Sequence, residues 1–248
     1  MKAIILAAGD GSRMGKLTQN IPKPLVILNG KSIIERQLSI LKKIGITKIY
    51  IITGPHNEKF NLKNVVFVND LDHKKHDILG SLITARDYIN DEIIITYSDQ
   101  IFDETIMDQV NNFKGDIGIA VDLDWEKKYE NRNQHPKSEA ENVLFDKEGN
   151  ILELRKNIQK SNSVIGEFAG VVKLSKKGSK IFLDKYSELK ISHKGKFHNA
   201  LSLEKGIISD MLQELIDSGI NVEPILISGK WCEIDTPQDL AFARIFFE

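Results

Sequence analysis

Residues 3–14 read Ala3-Ile4-Ile5-Leu6-Ala7-Ala8-Gly9-Asp10-Gly11-Ser12-Arg13-Met14. The first part of this stretch is apolar and free of charge, the length of a buried strand, and it empties directly into a glycine-rich loop. Gly9 and Gly11 permit positive φ and leave no Cβ between backbone and ligand. Successive N–H groups can therefore converge on an anion, with the Arg13 guanidinium as a rigid fork beside them. Further on, Ile21-Pro22-Lys23-Pro24-Leu25 holds a lysine between two prolines, which limit where its ammonium can point.

Two better-known glycine motifs do not fit. A dinucleotide-binding fingerprint needs glycine where Met14 stands, and a P-loop needs Gly-Lys followed by Ser or Thr. A glycine pair by itself is often just a tight surface turn. LAAGDGSRM followed by PKPL, however, closely resembles the signature of nucleotidyltransferases that join an NTP to a phosphorylated small molecule. Within that superfamily the chain is similar to the phosphocholine and phosphonate cytidylyltransferase branch.

The resemblance implies a Rossmann-like three-layer α/β/α fold with a mostly parallel mixed central sheet and an inserted β-hairpin region. It implies Mg²⁺ as cofactor and CTP plus a small phosphonate or phosphomonoester as substrates. Nucleotide contacts then fall on Leu6, Ala7, Ala8, Gly9, Gly11, Ser12, Arg13, Asp77, Gly80 and Ser81. Lys23 and Arg13 join Asp99 and Asp235 as the catalytic set, with Glu233 beside the two aspartates as a metal ligand. On the acceptor side stand Lys23, Arg132, His135, Lys156 and Glu167. The rival within the same chemistry is a sugar-1-phosphate nucleotidyltransferase using UTP, dTTP or GTP. From a different class comes a catalytically silent nucleotide-binding regulator, which should have lost Lys23 or an acidic metal position; all are present.

Composition is compatible with this. The chain has 248 residues, 41% hydrophobic and 28% charged, with a formal net charge of -1. That is enough chain for a sizeable core, and the near-neutral balance argues against nucleic acid as a partner. The lone Cys232 excludes an internal disulfide framework and reads as a small packed residue. With no signal peptide and no apolar stretch near membrane-span length, a cytoplasmic protein without membrane contact is expected. The sequence leaves monomer and homodimer open.

Ser32 reads as an N-cap with Glu35 three residues on, and Ile33, Ile34, Leu38, Leu41 and Ile44 recur at helical spacing before Gly45. A strand over 48–53 follows, completing a parallel βαβ unit. A further strand is expected over 65–68 and a helix from Asp77 to about Tyr88, whose small and polar start also suits a plain helix N-terminus. The β-branched run 92–97 is a central strand ending on Ser98-Asp99. A carboxylate there faces the crevice where open α/β sheets bind ligands, or else caps the next helix. A strand over 117–121 precedes a polar insertion, residues 122–165, containing a hairpin around Lys147-Glu148-Gly149-Asn150. The insertion is expected to cover the acceptor, within a single domain of residues 1–248. Lys156 could equally be an exposed hairpin lysine. Helices are expected over 176–188 and 203–217, then a strand over 221–228. Glu233 and Asp235 alternate onto one side of an extended segment that Thr236 and Pro237 convert into a helix.

A phosphomonoester is largely ionised at neutral pH, its second pKa being roughly 6, so nucleotidyl transfer to it needs no general base. The absence of a Ser-His-Asp, Cys-His or HExxH pattern therefore counts nothing against the reading.

Overall fold

The computed structural model describes residues 1–159 and 163–248. Residues 160–162, part of the expected insertion, lie outside the described residues. The apolar opening run forms β1 (Lys2–Ala7), and the loop after it winds into a 3-10 turn over Ser12–Thr18. After the lysine loop come the short strands β2 (Ile27–Leu28) and β3 (Lys31–Ser32), then α1 (Ile33–Lys43). Ser32 and Glu35 form the expected reciprocal capping box on α1, and Gly45 ends it at φ 84°.

The chain continues through β4 (Lys48–Thr53), β5 (Val66–Asn69), α2 (Ile78–Ile83), β6 (Ile93–Tyr97), β7 (Gln100–Phe102), α3 (Glu104–Asn112) and β8 (Ile117–Asp122). The expected hairpin is β9 (Glu141–Phe145) paired with β10 (Ile151–Lys156), followed by β11 (Ile165–Leu174). α4 (Lys176–Ser192), α5 (Ile208–Asp217), β12 (Glu223–Leu226), β13 (Trp231–Glu233) and α6 (Pro237–Phe246) complete it.

Among the described residues, nine strands share one sheet, with β10-β9-β11-β6-β1-β4-β5 in order and β8 joining β11 to β12. β6, β1, β4 and β5 run parallel, as do β8 and β12, while β11 runs antiparallel to each of its neighbours. Helices flank a mixed, mostly parallel sheet, as expected from the sequence. Alternation along β1 sends Ile4 and Leu6 into one core and Ala3, Ile5 and Ala7 into the other, so each face of the sheet has its own apolar layer. A third cluster, around Met14, Val26, Ile101 and Ile234, ties the glycine and lysine loops to β7, β13 and α6.

Two expected helices are shorter than their patterns suggested. α2 gives way after Ile83 to a 3-10 turn over Arg86–Tyr88, where the Thr84 hydroxyl donates to the Ser81 carbonyl and competes with helix continuation. The 203–217 helix is split into a 3-10 turn over Leu203–Lys205 and α5. The Glu204 and Gly206 carbonyls, freed by that break, accept from Asp77 N and Leu79 N at 2.9 Å each. A long-range backbone anchor for α2 replaces the continuous helix.

Candidate active site

β1, β6 and β13 deliver their carboxyl ends to one cleft of about 460 Å³. Its floor is an ion network. Lys23 Nζ donates to Asp99 Oδ2 at 2.5 Å and to Asp235 Oδ1 at 2.6 Å, so these carboxylate oxygens are no further apart than the sum of those distances. Arg13 Nη2 lies 2.7 Å from Asp235 Oδ2. Residues 13, 23, 99 and 235 thus meet in one cavity. Asp99 caps no helix; that task falls to Asp103 at the start of α3.

Burial is the largest influence on Lys23 and pulls its pKa down, but Asp99 and Asp235 outweigh it and hold the ammonium above its ordinary range. Asp235, with 1% of its side chain exposed, is pushed up by burial and then drawn well below the usual carboxylate range by His135 and Lys23. Glu233 goes the other way: burial, followed by Asp235 and Asp99, raises it well above the usual range. Pairing, not burial alone, decides which carboxylate carries the charge.

Gly11 adopts φ 63°, and a Cβ on it would come within 2.9 Å of Lys23 Cβ. Any side chain here would strain the loop and displace the lysine. Gly9 does not share this geometry. Its φ is not positive, and open space surrounds its Cβ position. Leu6, Gly9, Ser12 and Arg13 line the cleft, and Ala8 lines its continuation. Ala7 faces the core instead.

Asp77 also borders the cleft, with Oδ1 accepting from Ile78 N at 2.9 Å. Ser81 lines the continuation, its hydroxyl donating to the buried Asp70 carboxylate, whereas Gly80 lies packed beneath His76 and Glu204.

On the other side of Asp235, His135 is 2% exposed. Its Nδ1 stands 3.2 Å from Asp235 Oδ2 and 3.1 Å from Arg132 Nη2, and its Nε2 is 3.6 Å from Glu233 Oε2. His135, Glu233 and Asp235 offer three ligand atoms within 4.8 Å of one another. Arg132 is itself committed. Its Nε donates to Asp239 Oδ1 at 2.7 Å and Nη2 to the Glu233 carbonyl at 3.2 Å, which braces the insertion against the start of α6. Gln238 reinforces the joint, accepting from Asn133 N and Gln134 N and donating to the Asn131 carbonyl. Asp239 completes a capping box with Thr236, fixing the turn that aims Asp235.

The carboxylates also bear on metal binding. Asp99 Oδ1 is a buried acceptor with no hydrogen-bond partner among the described residues. An oxygen-rich set with an open acceptor suits a hard divalent cation. Asp235 and Glu233 offer oxygens to such an ion within the close trio they form with His135, whereas Asp99 stands outside that trio and is joined to Asp235 through Lys23 Nζ.

Lys156 and Glu167 enter from β10 and β11 into the adjoining pocket with His135. Lys156 Nζ is 2.9 Å from Glu139 Oε2, and the Tyr129 hydroxyl donates to Glu167. Sequence reasoning missed Tyr129 as a partner for Glu167, and it missed Glu141. Glu141 heads β9, borders both cavities, and has an Oε2 without a hydrogen-bond partner among the described residues. The available signal was a charged residue opening a strand whose next four positions are buried. Cys232, inert as expected, has its thiol pushed up to about 12 by burial.

Burial raises the Glu141 carboxyl from 4.5 to about 7. Between those values the folded chain holds more protons than the unfolded one, so stability falls as pH rises through that window. Glu141→Gln is expected to be more stable than the parent by about 3 kcal/mol at pH 8 and indistinguishable near pH 4. Urea midpoints at the two pH values measure this, and an equal difference at both would contradict it.

A model described as the MobA-like NTP transferase domain matches residues 3–136, which include the glycine loop, Lys23, Asp99 and His135. The chain belongs to this family. As a MobA-like NTP transferase it is an enzyme of the nucleotidyltransferase class.

Its relatives include a CTP:phosphoglutamine cytidylyltransferase from Campylobacter jejuni, 29% identical over 97% of this chain and 98% of that one. The bifunctional protein GlmU of Methanococcus aeolicus is 28% identical over 98% of this chain, which spans about half (54%) of that relative's length. A solved CTP:phosphocholine cytidylyltransferase from Streptococcus pneumoniae superposes with a TM-score of 0.74 at 22% identity, covering 100% of this chain and 99% of that one, a likeness of fold. No helix among the described residues is long and apolar enough to cross a membrane.

Proposed function

We propose that this MobA-like transferase is an Mg²⁺-dependent cytidylyltransferase that moves CMP from CTP to a small phosphonate or phosphomonoester and releases pyrophosphate. The observation that carries this reading is the bridge of Lys23 Nζ between Asp99 and Asp235 beneath the glycine loop. The relative from Campylobacter jejuni, covered almost end to end, supports cytidine as the base. We take residues 1–248 to work as one domain and the 122–165 insertion to form the acceptor side, in the cytoplasm.

In this reading the N–H groups around Gly9, Gly11 and Ser12, together with Arg13, bind the β and γ phosphates. Lys23 neutralises charge where the acceptor oxygen meets the α-phosphorus, from a position that Pro22, Pro24 and the two aspartates hold in place. Asp99, Asp235 and Glu233 would hold Mg²⁺, which would supply relief of repulsion between the two anions and stabilisation of charge on the pyrophosphate. His135 and Arg132 fix the orientation of Asp235 and Glu233, and Asp77 flanks the nucleotide. Lys156 meets the acceptor's phosphoryl group. Glu139, Glu141, Glu167 and Glu233 around it favour an acceptor that also bears a cationic or hydrogen-bond-donating group.

Pyrophosphate release with CTP and Mg²⁺ tests the proposal, using phosphocholine, 2-aminoethylphosphonate and phosphoglutamine, against glucose 1-phosphate with UTP or dTTP. Turnover with CTP and one of the first three is expected. Turnover confined to the sugar phosphate overturns the acceptor assignment, and CTP binding without turnover on any acceptor favours the silent regulator.

A further inference from the structure

The active-site cleft continues past Gly9 into a second recess of about 310 Å³, between the exit of β1 and the start of α2. A buried carboxylate organises one wall of it. Asp70, 1% exposed, accepts from Ser81 Oγ at 2.7 Å and from Asp72 N at 3.0 Å. Its two oxygens lie 2.9 and 3.0 Å from His76 Nδ1. A carboxylate only accepts, so Nδ1 is the donor to Asp70, and the neutral ring held this way offers Nε2 as an acceptor.

Nε2 has no hydrogen-bond partner among the described residues and is not a buried atom; the His76 side chain is 19% exposed, on the wall of the recess. Gly80 makes this position available, since a Cβ there would lie 2.9 Å from both Cβ and Cδ2 of His76 and 2.5 Å from the Glu204 carbonyl. Nearby polar groups are already engaged. Lys205 Nζ donates to the carbonyls of Lys74 and His76, and Asp77 is turned to Ile78 N. His73 Nδ1 lies 3.1 Å from the Asp70 carbonyl, which makes it the internal comparator.

We propose that His76, held by Asp70, reads the nucleotide base, accepting a hydrogen bond from an exocyclic amino group and so selecting cytosine over uracil. Cytosine presents a donor at C4, whereas uracil presents an acceptor there and would leave two lone pairs facing each other. The inference rests on the CTP reading above and assigns its specificity to a locked tautomer.

The test is calorimetric binding of CTP and of UTP, each with Mg²⁺, to the parent protein, His76→Gln and His73→Gln. The parent is expected to prefer CTP by about tenfold or more, the worth of one buried hydrogen bond against an unsatisfied acceptor. A glutamine can turn either its oxygen or its nitrogen to the base, so His76→Gln should keep nucleotide affinity and lose the preference. His73→Gln should leave the preference intact.

A preference unchanged in His76→Gln, or lost only in His73→Gln, overturns the role of His76 while leaving the CTP reading standing. A parent that prefers UTP overturns the CTP reading itself. ¹⁵N NMR of the histidines in the parent protein checks the tautomer without any variant, and a protonated Nε2 on His76 also sinks the proposal.

Discussion

Lys23→Met is expected to lower the rate of pyrophosphate release by about 10² to 10³ fold, the usual loss when a preorganised charge donor is removed from a developing charge. Its side chain is 12% exposed and faces two carboxylates at 2.5 and 2.6 Å, so no mobile solvent cation duplicates its placement. The fold should survive, because Asp235 keeps Arg13 and His135 as partners. Far-UV circular dichroism and a thermal melt check that point. Lys23→Arg should not rescue, since a planar guanidinium fork cannot put one compact charge 2.5 and 2.6 Å from the two carboxylates as the ammonium does. Near-normal turnover from a folded Lys23→Met protein would refute the assignment.

Asp235→Ala is expected to combine the two largest costs in the molecule. Removing one partner of a buried ion network typically costs about 3 to 5 kcal/mol, and here Lys23, Arg13 and His135 all lose the carboxylate they share. Turnover should fall by at least about 10² fold at the same time. Asp99→Ala separates these effects. Asp99 is 18% exposed and its only ion partner among the described residues is Lys23, so activity should drop comparably while the urea midpoint moves much less. Equal destabilisation by both substitutions would mean that the aspartates are structurally equivalent, contrary to their surroundings.

The parts of this molecule legible in the sequence are those whose causes are local. The strand before the glycine loop, the Ser32–Glu35 box and the Thr236-Pro237 helix start are each specified by neighbours within a few residues. The convergence of Lys23, Asp99 and Asp235 followed from a recognised pattern together with the rule that strand ends face the crevice. Long-range partnerships were not legible. Nothing near Arg132 announces that its guanidinium is taken by Asp239, and nothing near Glu204 announces that its carbonyl anchors α2. The same holds for Asp70, a loop aspartate by sequence, buried only because α2 and His76 close over it. Gly9 illustrates a smaller limit: its φ is not positive and a Cβ there would meet nothing, so neither backbone conformation nor packing in the protein itself requires glycine at that position.

The joint between the insertion and the C-terminal helix has a practical consequence for engineering. Because Arg132 grips Asp239 while Gln238 binds backbone at 131, 133 and 134, the loop over 131–134 is not a detachable module. Chimeras that transplant the loop alone from a relative would misaim the carboxylate preceding that helix. Exchanging substrate preference between such enzymes calls for a two-piece cassette, loop and closing helix moved together.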